Sequence, residues 1–254
     1  MYRPGLILAG SSYAIDMGVK VPRKKRRVVL LSLLYRLNRV LPLTRLQKFK
    51  LYLDLEWIFD RLAMEASFTH YAPDDHPHRS FASKFLLRQL EPGMRVLDLG
   101  CAKGDMSYAL AQHVEQVVGV DHNAGLISLA KEQYQRPNLS FLQGDALEYL
   151  RRGGAAHFDV LILSHILEHL DGPEQFLKDF SPHFKWFYIE LPDFDKTYLN
   201  HYRLDVGSSL LWTDEDHVVE FDREELMDVL GKAGLRIVEA EYRFGLQRLW
   251  CTRN

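Results

Sequence analysis

The segment MRVLDLGCAKGDMS, residues 94–107, constrains this chain more than any other stretch. An apolar run ends in a glycine-rich turn that opens a helical pattern. Gly100 and Gly104 let the backbone turn tightly and approach a ligand without Cβ interference. They do so at the carboxyl edge of the sheet, where open α/β domains bind their ligands. The next apolar run, VVGVDH, ends in Asp121, twenty-three residues beyond Asp98. A carboxylate there can accept both ribose hydroxyls of an adenosine.

Around this pair, strand-like and helix-like patterns alternate. Strands are expected over 95–99, 116–120, 139–142, 158–164, 186–191, 235–242 and 247–252, and helices over 104–113, 124–134, 146–151, 173–180 and 223–233. Continuous apolar strands such as VLILS alternating with helices imply a mostly parallel α/β sheet covered on both faces. Upstream, helices are expected over 28–41, 43–66 and 81–90. The proline-bearing stretch APDDHPHRS between the last two reads as a loop.

From about Phe81 onward the chain resembles the class I S-adenosylmethionine-dependent methyltransferases. LDLGCAKG resembles their first cofactor motif, Asp121 their ribose-binding acid, and GDALEYL at 144–150 their adenine-binding segment. The resemblance implies a Rossmann-like, mostly parallel seven-stranded sheet and a cofactor site formed by Asp98, Gly100, Cys101, Ala102, Gly104, Asp121, His122, Asp145, Ala146 and Ser164. In it, Gly100 and Gly104 would line the methionine side, Asp145 would hydrogen-bond the adenine amine and Ala146 would pack at the base. Ala102 departs from a position often held by glycine. A nicotinamide-dependent dehydrogenase shares the turn and the acid, but G-x-x-x-G is not the dinucleotide spacing G-x-G-x-x-G, and Gly144-Asp145-Ala146 belongs to the methyltransferase pattern.

The fourth expected strand runs into SHILEHLDGP, in which His165, Glu168 and His169 stand at i, i+3 and i+4 and share one face if the segment is helical. TDEDHVVEFDREELMDVLGKAGL at 213–235 resembles a late family pattern that brings His217 toward the same pocket. Three readings stay open. The first makes His165 or His169 a general base for methyl transfer to a hydroxyl, with Glu168 beside it. The second is a divalent metal held by His165, Glu168, His169 and His217, partly resembling the small-RNA 2′-O-methyltransferases. The third has Glu168 and His169 bracing the loop. His70, His76, His78, Asp74 and Asp75 cluster in sequence and read more simply as a solvated polar loop. Tyr198, His201, Tyr202 and Trp212 suit stacking on an acceptor, or a place in the core.

Net charge is −2, yet between Met17 and Leu53 there is no acid and there are eleven basic residues, which leaves −13 for the remainder. A basic arm over 20–50 on an acidic body points to an anionic surface: membrane, nucleic acid or a partner, with nucleic acid the less favoured. PRKKRRV also resembles a nuclear-import cluster. The apolar run 28–35 is far short of the roughly 20 residues a membrane span requires. No secretory leader is expected, nor a disulfide from Cys101 and Cys251, which fits a cytoplasmic protein with a peripheral membrane contact.

The sequence therefore predicts a basic helical extension over 1–70 and a methyltransferase domain over 71–254. The expected reaction is O-methylation of a small-molecule, glycan or lipid-linked acceptor with S-adenosylmethionine. An RNA-directed, metal-assisted enzyme and a non-catalytic cofactor-binding assembly module stand as alternatives.

Overall fold

A computed structural model describes residues 29–72, 75–151 and 157–254. The basic run 20–27, the first twenty residues with their expected loose order, Val28 and Asp74 lie outside the described residues. The chain forms two compact units, Met1–Thr44 and Arg45–Asn254. In the first, helix α1 (Val29–Val40) buries none of its residues.

The second unit opens with α2 (Arg45–His70), a helix of 26 residues that extends four residues past its expected end. Its one buried side chain is Leu53. The helix is held by polar contacts instead. Arg203, only 1% exposed, donates to the Leu53 carbonyl at 2.8 Å and pairs with Glu56, and Ser208 Oγ donates to Asp54 at 2.9 Å. These contacts place 45–70 in the same compact unit as the sheet. Helix α3 (Pro77–Gln89) starts four residues earlier than expected, with proline in its first turn. The fixed φ of proline suits that position, and its missing N–H would have had no helical partner there. The polar stretch read as a loop is therefore partly helix.

The order that follows is β1 (Arg95–Leu99), α4 (Asp105–Leu110), β2 (Gln116–Asp121), α5 (Ala124–Gln133), β3 (Leu139–Gln143), α6 (Ala146–Arg151), β4 (Val160–Ser164), α7 (Pro173–Phe180), β5 (Trp186–Pro192), α8 (Leu199–Val206), α9 (Arg223–Lys232), β6 (Leu235–Arg243) and β7 (Leu246–Arg253). The seven strands lie in the order β3-β2-β1-β4-β5-β7-β6. All neighbours are parallel except those of β7, which runs antiparallel to both β5 and β6. Seven expected strands match seven observed ones. Helix α4 is shorter than expected because Gly104, in a left-handed conformation, precedes it and the chain after Leu110 breaks into turns.

The period of two along each strand sorts the core into two layers. Leu97, Val118, Leu161, Phe187 and Leu249 pack with Leu177 of α7 and with Leu226 and Leu230 of α9. Their chain neighbours Val96, Val117, Val160, Tyr188 and Trp250 face the other way, onto Phe85 and Leu86 of α3 and Leu110 of α4. Both faces are covered, which is why the central strands read as unbroken apolar runs. The edge strand β6 alternates instead, from buried Leu235 to the exposed Arg236 and Val238. Strand order reverses between β1 and β4, and their carboxyl ends open the crevice in which the candidate residues meet.

Candidate active site

Three residues in the β1–α4 loop have positive φ: Gly100 at 72°, Ala102 at 47° and Gly104 at 82°. Gly100 and Cys101 donate their N–H groups to the Val120 carbonyl at 2.8 and 3.2 Å, tying the loop to the end of β2. A Cβ on Gly104 would stand 2.5 Å from the Phe141 ring, inside the small cluster of Cys101, Ile127, Ala130 and Phe141, so only glycine fits. Ala102 carries a left-handed cost of about 1–2 kcal/mol. Its N–H is held by Asp121 Oδ2 at 3.0 Å, which explains how a non-glycine keeps that conformation. Burial and two nearby carboxylates push the Cys101 thiol far up, so it packs rather than reacts.

Asp121 ends β2 and uses its other oxygen to accept from Asn123 N at 2.8 Å. Asp98, 3% exposed, accepts from Ser107 Oγ. Burial pushes the Asp98 carboxyl up to about 6; the Ser107 hydrogen bond opposes that shift, and the charge of Asp121 adds to it. No cationic side chain is among the causes of the Asp98 shift. A crevice edge with two buried carboxylates fits a ligand with a positive charge. S-adenosylmethionine, which carries an ammonium and a sulfonium, meets that requirement.

Lowered acidity of Asp98 in the folded state carries a stability cost. The unfolded carboxyl ionises near 4 and the folded one only near 6, so folding loses stability as pH rises through that window, by about 3 kcal/mol at the top. Asp98→Asn is therefore expected to melt higher than the parent at pH 7, by about 1–3 kcal/mol in stability. The gap should shrink as pH falls below 6 and close below 4. Calorimetric melting of both proteins across pH 4–8 checks this, and a gap independent of pH would refute it.

The segment after β3 closes the side of the crevice. Gly144 N donates to the Asp121 carbonyl at 3.0 Å, and Asp145 caps α6 by accepting from Glu148 N at 2.7 Å. Ala146 is buried in the main core cluster. The His122 side chain is 96% exposed, with Nδ1 3.7 Å from Asp121, so it lies outside the crevice wall.

The expected shared helical face of His165, Glu168 and His169 does not form. His165 has φ 55° and the helical segment is a single 3-10 turn, Leu167–His169. The turn points the three side chains differently. His165 Nδ1 lies 2.9 Å from Glu168 Oε1, and its Nε2 is 3.9 Å from Glu190 Oε1. Burial acts to lower the His165 pKa, but the Glu168 hydrogen bond and the carboxylates of Glu168 and Glu190 outweigh it and hold the ring above its ordinary value. His169 turns away, toward the Asp216 carbonyl at 3.2 Å, and packs edge-on to His217 at 4.8 Å.

His217 reaches this region because Val218 and Val219 donate to the main-chain carbonyl of Glu168 at 2.8 and 3.2 Å. Its Nδ1 lies 2.9 Å from Glu220 Oε1, and both side chains are buried. Glu168, His169 and His217 bring one ligand atom each within 4.8 Å of one another, as do Asp214, Asp216 and His217. His165 belongs to neither group. The fourfold donor set of the metal reading thus contracts to three, with Glu168 Oε2 buried and without a hydrogen-bond partner.

The solvated-loop reading fails at His76, which is 2% exposed, stacked on Phe68 at 4.2 Å and 3.1 Å from Ser67 Oγ. Tyr198, Tyr202 and Trp212 are exposed at 68%, 42% and 42%, so they are not core. His201 is held by Asp195 at 2.7 Å.

Sequence reasoning missed Glu190 and Asn123. Glu190 accepts from Ser164 Oγ at 3.1 Å, from Tyr188 at 3.0 Å and from the fully buried Arg248. An acid interrupting the apolar run WFYIELP is the available signal. Asn123 caps α5 by accepting from Gly125 N and Leu126 N.

A family model described as methyltransferase domain matches residues 69–240. The ubiquinone biosynthesis O-methyltransferase of Coxiella burnetii is 35% identical over 98 residues, covering 38% of this chain and 42% of that protein. The chain thus spans less than half the length of that curated relative. Magnesium protoporphyrin IX methyltransferase of Synechocystis, crystallised with S-adenosylhomocysteine, superposes with a TM-score of 0.53 at 18% identity, over 69% of this chain and 81% of that one. A methyltransferase of Aquifex aeolicus superposes at 0.51 and 16% identity, over 68% and 89%. With the family match covering most of the second unit, the chain belongs to the class I S-adenosylmethionine-dependent methyltransferases.

Proposed function

We propose that this protein transfers the methyl group of S-adenosylmethionine to a hydroxyl oxygen of a small molecule, with His165 as the general base. The observation that carries the reading is the contact between the two halves of the crevice. A Cβ on Gly100 would meet Ile166 Cδ1 at 2.5 Å, so the glycine loop lies against the residue that follows His165. The donor, when bound along Asp98, Gly100 and Asp121, supplies an electrophilic methyl on sulfur. The protein's own residues then have two tasks, orientation and proton removal.

Glu168 accepts the Nδ1 proton of His165 and so leaves Nε2 free to take the proton of an acceptor hydroxyl. Glu190, ion-paired with buried Arg248 and fixed by Ser164 and Tyr188, has an oxygen 3.9 Å from Nε2 and favours the imidazolium that results. Asp121 supplies acceptor lone pairs for ribose hydroxyls, and Asp145 an acceptor for an amine. Oxygen as the methylated atom is supported by the similarity to an O-methyltransferase. The exposed Tyr198, Tyr202 and Trp212 favour an acceptor with a stackable face, such as a phenol, a glycan or a lipid-linked sugar.

A divalent cation on Glu168, His169 and His217 is a second reading, favoured by the unpartnered Glu168 Oε2. One carboxylate with two imidazoles suits zinc, manganese or iron. Both readings are tested by incubating the protein with S-adenosylmethionine and a panel of phenols and sugar derivatives, and measuring S-adenosylhomocysteine release with and without EDTA. Turnover that survives EDTA is the expected result. Loss with EDTA that zinc or manganese restores would move the chemistry to the metal reading. Tight cofactor binding without turnover on any acceptor would make the domain a non-catalytic module.

A further inference from the structure

Helix α1 presents an apolar face that no described residue buries. Placed at 100° per residue, Val29, Leu30, Leu33, Leu34, Leu37 and Val40 fall on one arc, Arg39, Ser32 and Arg36 form a polar stripe along one side of it, and Asn38, Leu31 and Tyr35 complete the circumference. The six aliphatic residues are exposed at 74%, 65%, 60%, 49%, 52% and 74%. In α2, the exposed Tyr52, Leu55, Phe59 and Leu62 also fall on one arc, but acids such as Asp54, Glu56 and Asp60 stand along that helix, whereas α1 has none.

Charge narrows what covers the face. Arg36 and Arg39 edge it, and the flanking sequence from Lys20 to Lys50 carries eleven basic residues with no acid. A second copy of this helix would bring like charges together. Nucleic acid would use the arginines but would leave six aliphatic side chains in water. An anionic bilayer satisfies both features, with headgroups for the basic residues and acyl chains for the aliphatic ones. At 12 residues the helix is about 18 Å long, too short to span, and no described helix is long and apolar enough to cross a membrane.

We propose that α1 is a membrane-surface anchor whose Val29-Leu33-Leu37 face enters the headgroup layer of an anionic lipid bilayer, with Arg36 and Arg39 at the phosphate level. The anchor is independent of the methyltransferase chemistry.

Vesicle flotation of the full chain tests this without an activity readout. Binding to vesicles of phosphatidylcholine with about 30% phosphatidylglycerol should exceed binding to phosphatidylcholine alone by at least tenfold, because each basic residue near the surface contributes about fivefold. Leu33→Ser/Leu37→Ser should weaken anionic-vesicle binding by about tenfold or more with charge unchanged. Arg36→Gln/Arg39→Gln should weaken it by roughly 20-fold. Neither variant should alter the melting of the second unit, to which α1 does not belong. Equal binding to both vesicle types, or none, overturns the proposal. So does vesicle-independent self-association that the serine variant abolishes, or binding to an oligonucleotide in place of vesicles.

Discussion

Asp121→Ala is expected to weaken S-adenosylhomocysteine binding by roughly 10²–10⁴-fold, because two charge-assisted hydrogen bonds to ribose hydroxyls contribute about 1.5–3 kcal/mol each. The side chain also has a task within the protein. Its two oxygens hold Ala102 N and Asn123 N, and alanine leaves both amides without those partners. The loop that keeps Ala102 in a left-handed conformation would then relax. Asp121→Asn retains one acceptor oxygen and should fall between parent and alanine variant. Calorimetric titration of all three proteins, each first shown to melt cooperatively, measures the effect. An alanine variant that binds within threefold of the parent would remove Asp121 from the cofactor site.

His165→Gln is expected to lower kcat by about 10²–10⁴-fold while leaving cofactor affinity unchanged, the range for loss of a general base. The pH profile separates this from a packing effect. The carboxylates of Glu168 and Glu190 outweigh burial and raise the His165 pKa above its ordinary 6.5. A base works when neutral, so kcat/KM of the parent should climb with pH through a midpoint above 6.5. The glutamine variant should lose that climb. Glu168→Gln removes the hydrogen-bonded carboxylate, so the midpoint should move down even where activity is retained. A parent profile flat from pH 6 to 8, or a glutamine variant with full kcat, would rule out His165 as the base.

Much of the second unit is legible in the sequence alone. The runs VLIL of β4 and WFYI of β5 are apolar throughout because both sheet faces are covered, and the sequence pattern alone reveals that. The glycine turn and Asp121 were legible for a similar reason. A left-handed backbone demands glycine at residue 104, and the acid stands one residue past the end of an apolar run. The beginning of α3 is hidden in the sequence because two prolines and several polar residues resemble a loop, although proline is at home in a first helical turn.

The sequence by itself determined the class of fold, the order of its strands and helices, and the loop where the cofactor motif sits, because these follow from local periodicity and from backbone conformations only certain residues adopt. Only the tertiary structure decided which polar groups face one another. His165 parts company with His169 because a positive φ and a single 3-10 turn replace the regular helix that i, i+3, i+4 spacing assumes. Glu190 joins His165 through the pairing of β4 with β5, and His217 joins His169 through hydrogen bonds that link Glu168 to residues about fifty positions away. Such contacts depend on strand register and chain crossing rather than on spacing along the chain, and no local pattern records them.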